Sequence, residues 1–336
     1  MSLWDKADDC AVFESGMSAI STVLLEFLKP GDLLVYSNPT YGGTDHFIQH
    51  LLPTLGIHTI GIYTDDTKKS IIKKIRASGH SKNLAMMYVE TPANPNNALF
   101  NIEMISEVAK EFEIENKKQV VTAVDNTYMG PIWQHPLNIG ADLTIYSATK
   151  YLGGHSDLIA GAVMGNQDLM NRVKVLRTFL GNMISPNTAW LMLRSLETLK
   201  LRMDKQCENA KKVAQFLTTH DKIEKVYYLG LLQEGDKGFD IYKKQCTQPG
   251  AMISFDIKGK EKDAFTFLNH LKLIKLAVSL GSTESLAQHP SSMTHIGVDP
   301  ALRVKLNISE KMVRMSIGVE NADDIIEDIK QALEQV

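Results

Sequence analysis

Short, nearly unbroken apolar runs alternate with stretches whose apolar residues recur every three or four positions through the first two hundred residues. The runs Leu33–Ser37, Thr59–Tyr63, Leu84–Glu90, Val120–Asp125, Leu143–Ser147 and Ile159–Met164 predict strands. Their lack of polar alternation predicts that both faces are covered. Between them, Ala19–Leu28, Lys68–Ala77 and Ile102–Phe112 predict amphipathic helices. This alternation specifies an α/β unit with a mostly parallel sheet. Ligands of such sheets gather beyond the carboxyl ends of the strands. That rule singles out Glu90–Asn97, Asp125–Pro131 and Ser147–Ser156.

A long periodic stretch from Ala189 to about Phe216 predicts a helix joining two units. Beyond it, Met252–Ile257 and Val313–Val319 read as strands, and Lys262–Leu271 and Ala322–Val336 as helices. The last helix has Asn321 as its N-cap, acidic residues in its first turn, and Ile325, Ile326, Ile329 and Leu333 on one face. The organisation expected is a large domain over residues 1–195 and a smaller α+β domain over 196–336.

A length of 336 residues suits two such units. Apolar residues make up 44% and charged residues 22%, an ordinary globular balance. A net charge of -3 offers no electrostatic basis for binding nucleic acid or an anionic membrane. No apolar run approaches the ~20 residues of a membrane span, and the opening residues lack the pattern of a secretory signal. Cys10, Cys207 and Cys246 form neither a disulfide framework nor a CxxC pair, which predicts a reducing, cytoplasmic setting. The ten histidines show no metal-ligand spacing, so no metal site is expected.

Candidate chemistry concentrates in a few segments. Tyr146-Ser147-Ala148-Thr149-Lys150 places two hydroxyls and a lysine on a turn after a strand. The hydroxyls suit a phosphate, and a lysine beside apolar surface is primed for imine formation; a solvated lysine closing a strand is the plainer alternative. Asp125 closes an apolar strand, where it needs a cation such as a protonated ring nitrogen, or else caps a turn. Gly16 and Met17 open the first helix, whose free N–H groups suit an anion. Tyr41 sits at the tip of a turn, where it would stack on a flat ring or simply face solvent. Asn94 lies in a proline-stiffened loop at the same end of the sheet. Arg314 interrupts an apolar strand pattern, which suggests a carboxylate clamp or an internal salt bridge.

Each motif alone is weak, but their order is specific. Ser-Gly-Met at 15–17, Tyr-Gly-Gly-Thr at 41–44, Glu-Thr-Pro-Ala-Asn-Pro at 90–95, Val-Asp-Asn-Thr-Tyr at 124–128, Tyr-Ser-Ala-Thr-Lys-Tyr-Leu-Gly-Gly-His-Ser-Asp at 146–157 and Ser-Leu-Ala-Gln-His-Pro-Ser-Ser-Met-Thr-His at 285–295 occur in sequence. Together they closely resemble the cystathionine/methionine-metabolism family of fold-type I pyridoxal-phosphate (PLP) enzymes, over essentially the whole chain. The resemblance implies an aspartate-aminotransferase-like large domain, PLP as cofactor, a small amino-acid substrate and a homo-oligomer. It implies that Lys150 carries the cofactor as a Schiff base and shuttles protons. Asp125 would pair with the ring nitrogen and Asn94 with the ring hydroxyl, while Tyr41 would stack on the ring and act on the leaving group. Gly16, Met17, Ser147 and Thr149 would hold the phosphate, and Ser279 and Arg314 the substrate carboxylate.

The activity implied is γ-elimination from a sulfur amino acid such as cystathionine or methionine, releasing a thiol or cysteine, a 2-oxo acid and ammonia. γ-Replacement on an O-acylhomoserine is the same-class alternative, and a catalytically impaired interaction protein the alternative of another class. Two departures stand out. Members of the family carry roughly sixty further N-terminal residues, as expected of a ~400-residue two-domain enzyme. That arm gives the neighbouring subunit's phosphate site a tyrosine and an arginine, so weaker PLP binding and a weaker tetramer are expected here. Tyr41-Gly42-Gly43 resembles the cystathionine lyases, whereas Gln288-His289-Pro290 resembles the methionine enzymes, leaving the substrate open.

Overall fold

The computed structural model describes all 336 residues. Its larger sheet contains β1 (Asp9–Phe13), β2 (Leu33–Ser37), β3 (His58–Ile62), β4 (Leu84–Glu90), β5 (Val121–Asp125), β6 (Leu143–Ser147) and β7 (Gly161–Gly165), in the order β1-β7-β6-β5-β4-β2-β3. The pairs among β2 to β6 are parallel, while β7 runs against both β6 and β1. Every residue of β2 and β4 is buried, as strands covered on both faces require. On one face Ile20, Val23 and Leu24 of the helix Gly16–Phe27 meet Met170 and Val173 of the helix Gln167–Leu180. On the other, Ile71 and Ile75 pack with Ile105, Val108 and Phe112.

The remaining sheet contains β8 (Ile223–Tyr227), β9 (Met252–Ile257), β10 (Lys275–Leu276), β11 (Leu286–Gln288) and β12 (Met312–Ser316), in the order β10-β11-β12-β9-β8. It is antiparallel except for β10 with β11. The helix Ala322–Leu333 is capped by the Asn321 side chain, which accepts from the Asp323 N–H, and buries Ile325, Ile329 and Leu333. No helix is long and apolar enough to cross a membrane.

Two departures from the sequence reading have clear causes. The strand β1 was not anticipated, because its pairing with β7 lies far along the chain. The single helix expected from Ala189 to Phe216 is two helices, Pro186–Glu197 and Leu199–Thr219. No glycine or proline marks the break. Instead the buried Arg202 gathers its acceptors there: Nη2 donates to Ser195 O at 2.9 Å and Nε to Thr198 Oγ1 at 3.1 Å. Its Nη1 donates to Tyr151 O at 2.9 Å, so the same guanidinium fixes the turn that carries Lys150.

Asp5 is fully buried, and neither carboxylate oxygen finds a donor. Burial therefore pushes its carboxyl up to about 7. A raised carboxyl binds its proton more tightly when folded, so stability falls as pH rises from about 4 to 7 and stays reduced above that. Ionised Asp5 costs on the order of 4 kcal/mol by this linkage. Asp5→Asn is expected to raise the melting temperature more at pH 8 than at pH 5. Equal gains at both values in thermal melts would refute the assignment.

Candidate active site

Four consecutive parallel strands, in the order β6-β5-β4-β2, end side by side and lead into the loops that carry Lys150, Asp125, Asn94 and Tyr41. Against these ends lies the N-terminus of the helix Gly16–Phe27, fixed by Ser15, whose Oγ accepts from the Ser18 N–H at 3.0 Å. The approach is close: a Cβ on Gly16 would stand 2.8 Å from the Cβ of Ser147. The N–H groups of Gly16 and Met17 have no acceptor within the chain, as first-turn donors do not. A cavity of about 260 Å³ results.

Gly16, Met17, Tyr41, Asn94, Asp125, Ser147, Thr149 and Lys150 all line it. Ser279 and Arg314 stand just behind. Lys150 Nζ donates to Ser279 Oγ at 3.1 Å, and Arg314 donates to Ser279 O at 2.8 Å and to Asn94 Oδ1 at 3.1 Å. The ten residues singled out in the sequence thus converge on one place. Thr149 is the least free of them, its hydroxyl being exchanged with the Ala160 backbone at 3.1 and 3.2 Å. Tyr41 is 48% exposed at the rim.

The electrostatics are lopsided. Burial first, and Arg314 second, bring the Lys150 amine down to about 8, so a useful fraction is neutral near physiological pH. Arg314 is 1% exposed yet has no carboxylate partner; its acceptors are the Asn94 side chain and the carbonyls of Val278 and Ser279. With its amide oxygen turned inward, Gln288 accepts from Arg314 Nη1 at 3.1 Å and Nε at 3.3 Å. Asp125 is equally isolated. Its oxygens accept from Tyr88 Oη at 3.2 Å and Thr127 N at 3.0 Å, and no cation reaches it. Burial raises its carboxyl above the ordinary value.

Glu90, Thr127 and Tyr128, none of them among the ten expected residues, also line the cavity. Glu90 carried the signal that identified Asp125, an acid closing an apolar strand, but the prolines beside it directed attention to loop stiffness. Burial first and Asp125 second push its carboxyl up to about 8.

These groups suit the phosphorylated pyridine cofactor that the resemblance implies. Asp125 is a buried acceptor lacking a cation, Lys150 an amine held near neutrality, and the Gly16 turn offers free donors beside the Ser147 hydroxyl.

The family model described as Cys/Met metabolism PLP-dependent enzyme matches residues 1–334. An L-methionine gamma-lyase of Fusobacterium nucleatum subsp. polymorphum is 40% identical over 99% of this chain and 81% of its own length. A cystathionine gamma-lyase of Bacillus subtilis is 38% identical over 96% of this chain and 82% of its own. The structure of a cystathionine gamma synthase of Xanthomonas oryzae pv. oryzae, in complex with aminoacrylate and cysteine, superposes with a TM-score of 0.91 at 33% identity. That superposition covers 99% of this chain and 83% of the synthase.

Proposed function

The chain belongs to the Cys/Met metabolism family of PLP-dependent enzymes, and on that premise we propose how its cavity works as a carbon–sulfur lyase. The reaction is γ-elimination from a sulfur amino acid such as cystathionine or methionine, yielding a thiol or cysteine, a 2-oxo acid and ammonia. One observation carries the assignment of roles: a lysine amine lowered by burial, in the turn after β6, and a buried carboxylate without a cation, at the end of the neighbouring β5, line the same cavity.

When bound, PLP would supply a carbonyl for exchange with the substrate amine and a protonated ring that takes up electrons released at Cα. Asp125, held by Tyr88 and Thr127, keeps that ring nitrogen protonated. Lys150 takes the Cα proton once its amine is released and moves it along the substrate. Its bond to Ser279 aims Nζ toward the Arg314 side of the cavity, where the substrate carboxylate docks. Arg314 has buried charge to spare for that carboxylate, and its bond to Asn94 Oδ1 leaves the Asn94 amide N–H free for the ring hydroxyl. Tyr41, at the rim of the cavity, would stack on the ring and act on the leaving group. The Gly16 and Met17 N–H groups, with Ser147 and Thr149, hold the phosphate.

The roles rest on a division into residues 1–195 and 196–336, which the two separate sheets support. We also propose a cytoplasmic homo-oligomer. In its favour stand three free cysteines and a run of exposed apolar side chains, Phe179 and Leu180 on one helix, Trp190 and Leu193 on the next, and Met183 between them.

Product analysis tests the reaction. With cystathionine or methionine, the expected products are a 2-oxo acid and ammonia in equal amounts. A thioether formed from O-acylhomoserine and a thiol, with little 2-oxo acid, would establish γ-replacement instead.

A further inference from the structure

Glu90 and Asp125 end adjacent parallel strands and are paired in register, which sets their backbones about 4.8 Å apart and directs both side chains to the same face. Both are buried, and neither forms an ion pair. Two like charges in that setting cannot both persist at neutral pH, so the pair retains a proton.

The surroundings decide which residue keeps it. Each carboxyl accepts two hydrogen bonds, Asp125 from Tyr88 Oη and Thr127 N and Glu90 from the Tyr41 and Asn94 N–H groups, so donors alone do not separate them; Asp125 is the one placed for a cationic ring nitrogen. Glu90 meets no cation. Its titratable neighbours are Asp125, Tyr88 and Tyr128; Arg314 and Lys150 form no bond to it, contacting Asn94 and Ser279 instead. Glutamate is also intrinsically the weaker acid of the two.

What Glu90 does contact is revealing. Its Oε2 accepts from the Tyr41 N–H at 2.6 Å and its Oε1 from the Asn94 N–H at 3.1 Å. Its own N–H is fixed by Ser37 Oγ at 2.9 Å. One buried carboxyl thus bridges the two loops that bring an aromatic ring and an amide to the cofactor.

We infer that Glu90 is a positioning residue of the cofactor site: it holds the proton of the Glu90–Asp125 pair, leaving Asp125 as the ionised partner of the ring nitrogen, and it clamps the Tyr41 and Asn94 loops together. The inference rests on the cofactor reading of the cavity, but the state of the pair can be observed without cofactor.

The test compares the unmutated protein with Glu90→Gln and Glu90→Ala, each stripped of PLP and then titrated with it. Infrared spectra of the PLP-free protein at pH 7 are recorded with Asp5→Asn in place, which removes the other strongly raised buried carboxyl, and are expected to show a buried protonated-carboxyl band. That band should shift on ¹³C labelling of glutamate and not of aspartate, an assignment that needs no substitution at Glu90. Glutamine is neutral like a protonated acid but keeps only one of the two acceptors that Glu90 uses, so Glu90→Gln should bind PLP somewhat more weakly than the unmutated protein and clearly more tightly than Glu90→Ala. Its melting-temperature advantage without PLP should grow from pH 5 to pH 9, because a raised carboxyl lowers stability as it ionises. Glu90→Ala releases both loops and should bind PLP at least tenfold more weakly. A band that follows aspartate labelling, no protonated band at pH 7, or a Gln variant as impaired as the Ala variant would overturn the inference. Absence of PLP binding by the unmutated protein would count against the cofactor reading, while the infrared result would still report on the pair.

Discussion

Replacing Lys150 by alanine is expected to lower turnover of cystathionine or methionine by at least about 10³-fold, since it removes both the imine-forming amine and the proton carrier. The fold should survive, because the amine is a desolvated group whose only polar partner is Ser279. Lys150→Arg separates two explanations. Arginine keeps the positive charge but cannot give up its proton, so it should be as inactive as alanine if a neutral amine is what matters. The pH dependence follows from the same burial. Attachment of PLP needs the unprotonated amine, so its rate in the cofactor-free protein should rise as pH approaches about 8 and level off above. Stopped-flow absorbance of PLP uptake measures this directly. An arginine variant with near-normal turnover, or an uptake rate falling toward pH 8, would remove Lys150 from its proposed role.

Asp125→Asn should act in opposite directions on the empty and the loaded protein. The asparagine cannot hold a ring nitrogen in its protonated form, and loss of a charge-assisted contact costs about 1.5–3 kcal/mol, or roughly a 10- to 150-fold weaker PLP dissociation constant. Without PLP the same change should stabilise the protein at pH 8, because it removes one of two buried carboxyls that resist ionisation together. The sign follows from the raised carboxyl: its ionisation lowers stability as pH increases, so the gain should shrink toward pH 4. PLP titration and thermal melts on one preparation give both quantities. An Asn variant that binds PLP normally, or is destabilised without it at pH 8, would mean that Asp125 serves only to cap its turn.

The parallel core and most of the site were readable in the sequence, because both depend on local pattern. Apolar runs such as Leu84–Glu90 are strands with the anticipated boundaries, and the loops beyond β4, β5 and β6 hold the expected polar residues. What escaped depends on contacts distant in sequence. The strand β1 is defined by β7, and the break at Thr198 by a guanidinium that also reaches Tyr151. Glu90 escaped for a different reason. Its neighbour across the sheet, not its place in the chain, makes it unusual, and a pairing of Glu90 with Asp125 cannot be read from either segment alone.

The pairing of β1 with β7 also bears on how the chain is made. β1 leaves the ribosome well before its partner, which follows roughly 150 positions later, at a synthesis rate of ~5–20 residues per second. For roughly 8–30 s the nascent chain therefore carries an unpaired edge, joined by Glu14 and Ser15 to the helix whose first turn offers the free donors of the cavity. Those donors cannot be set against Ser147 until β6 exists, nor held there until β7 closes the edge. The earliest strand of the larger sheet is thus among the last to be secured, and the ability to capture PLP belongs to the nearly finished sheet rather than to any earlier stage of synthesis.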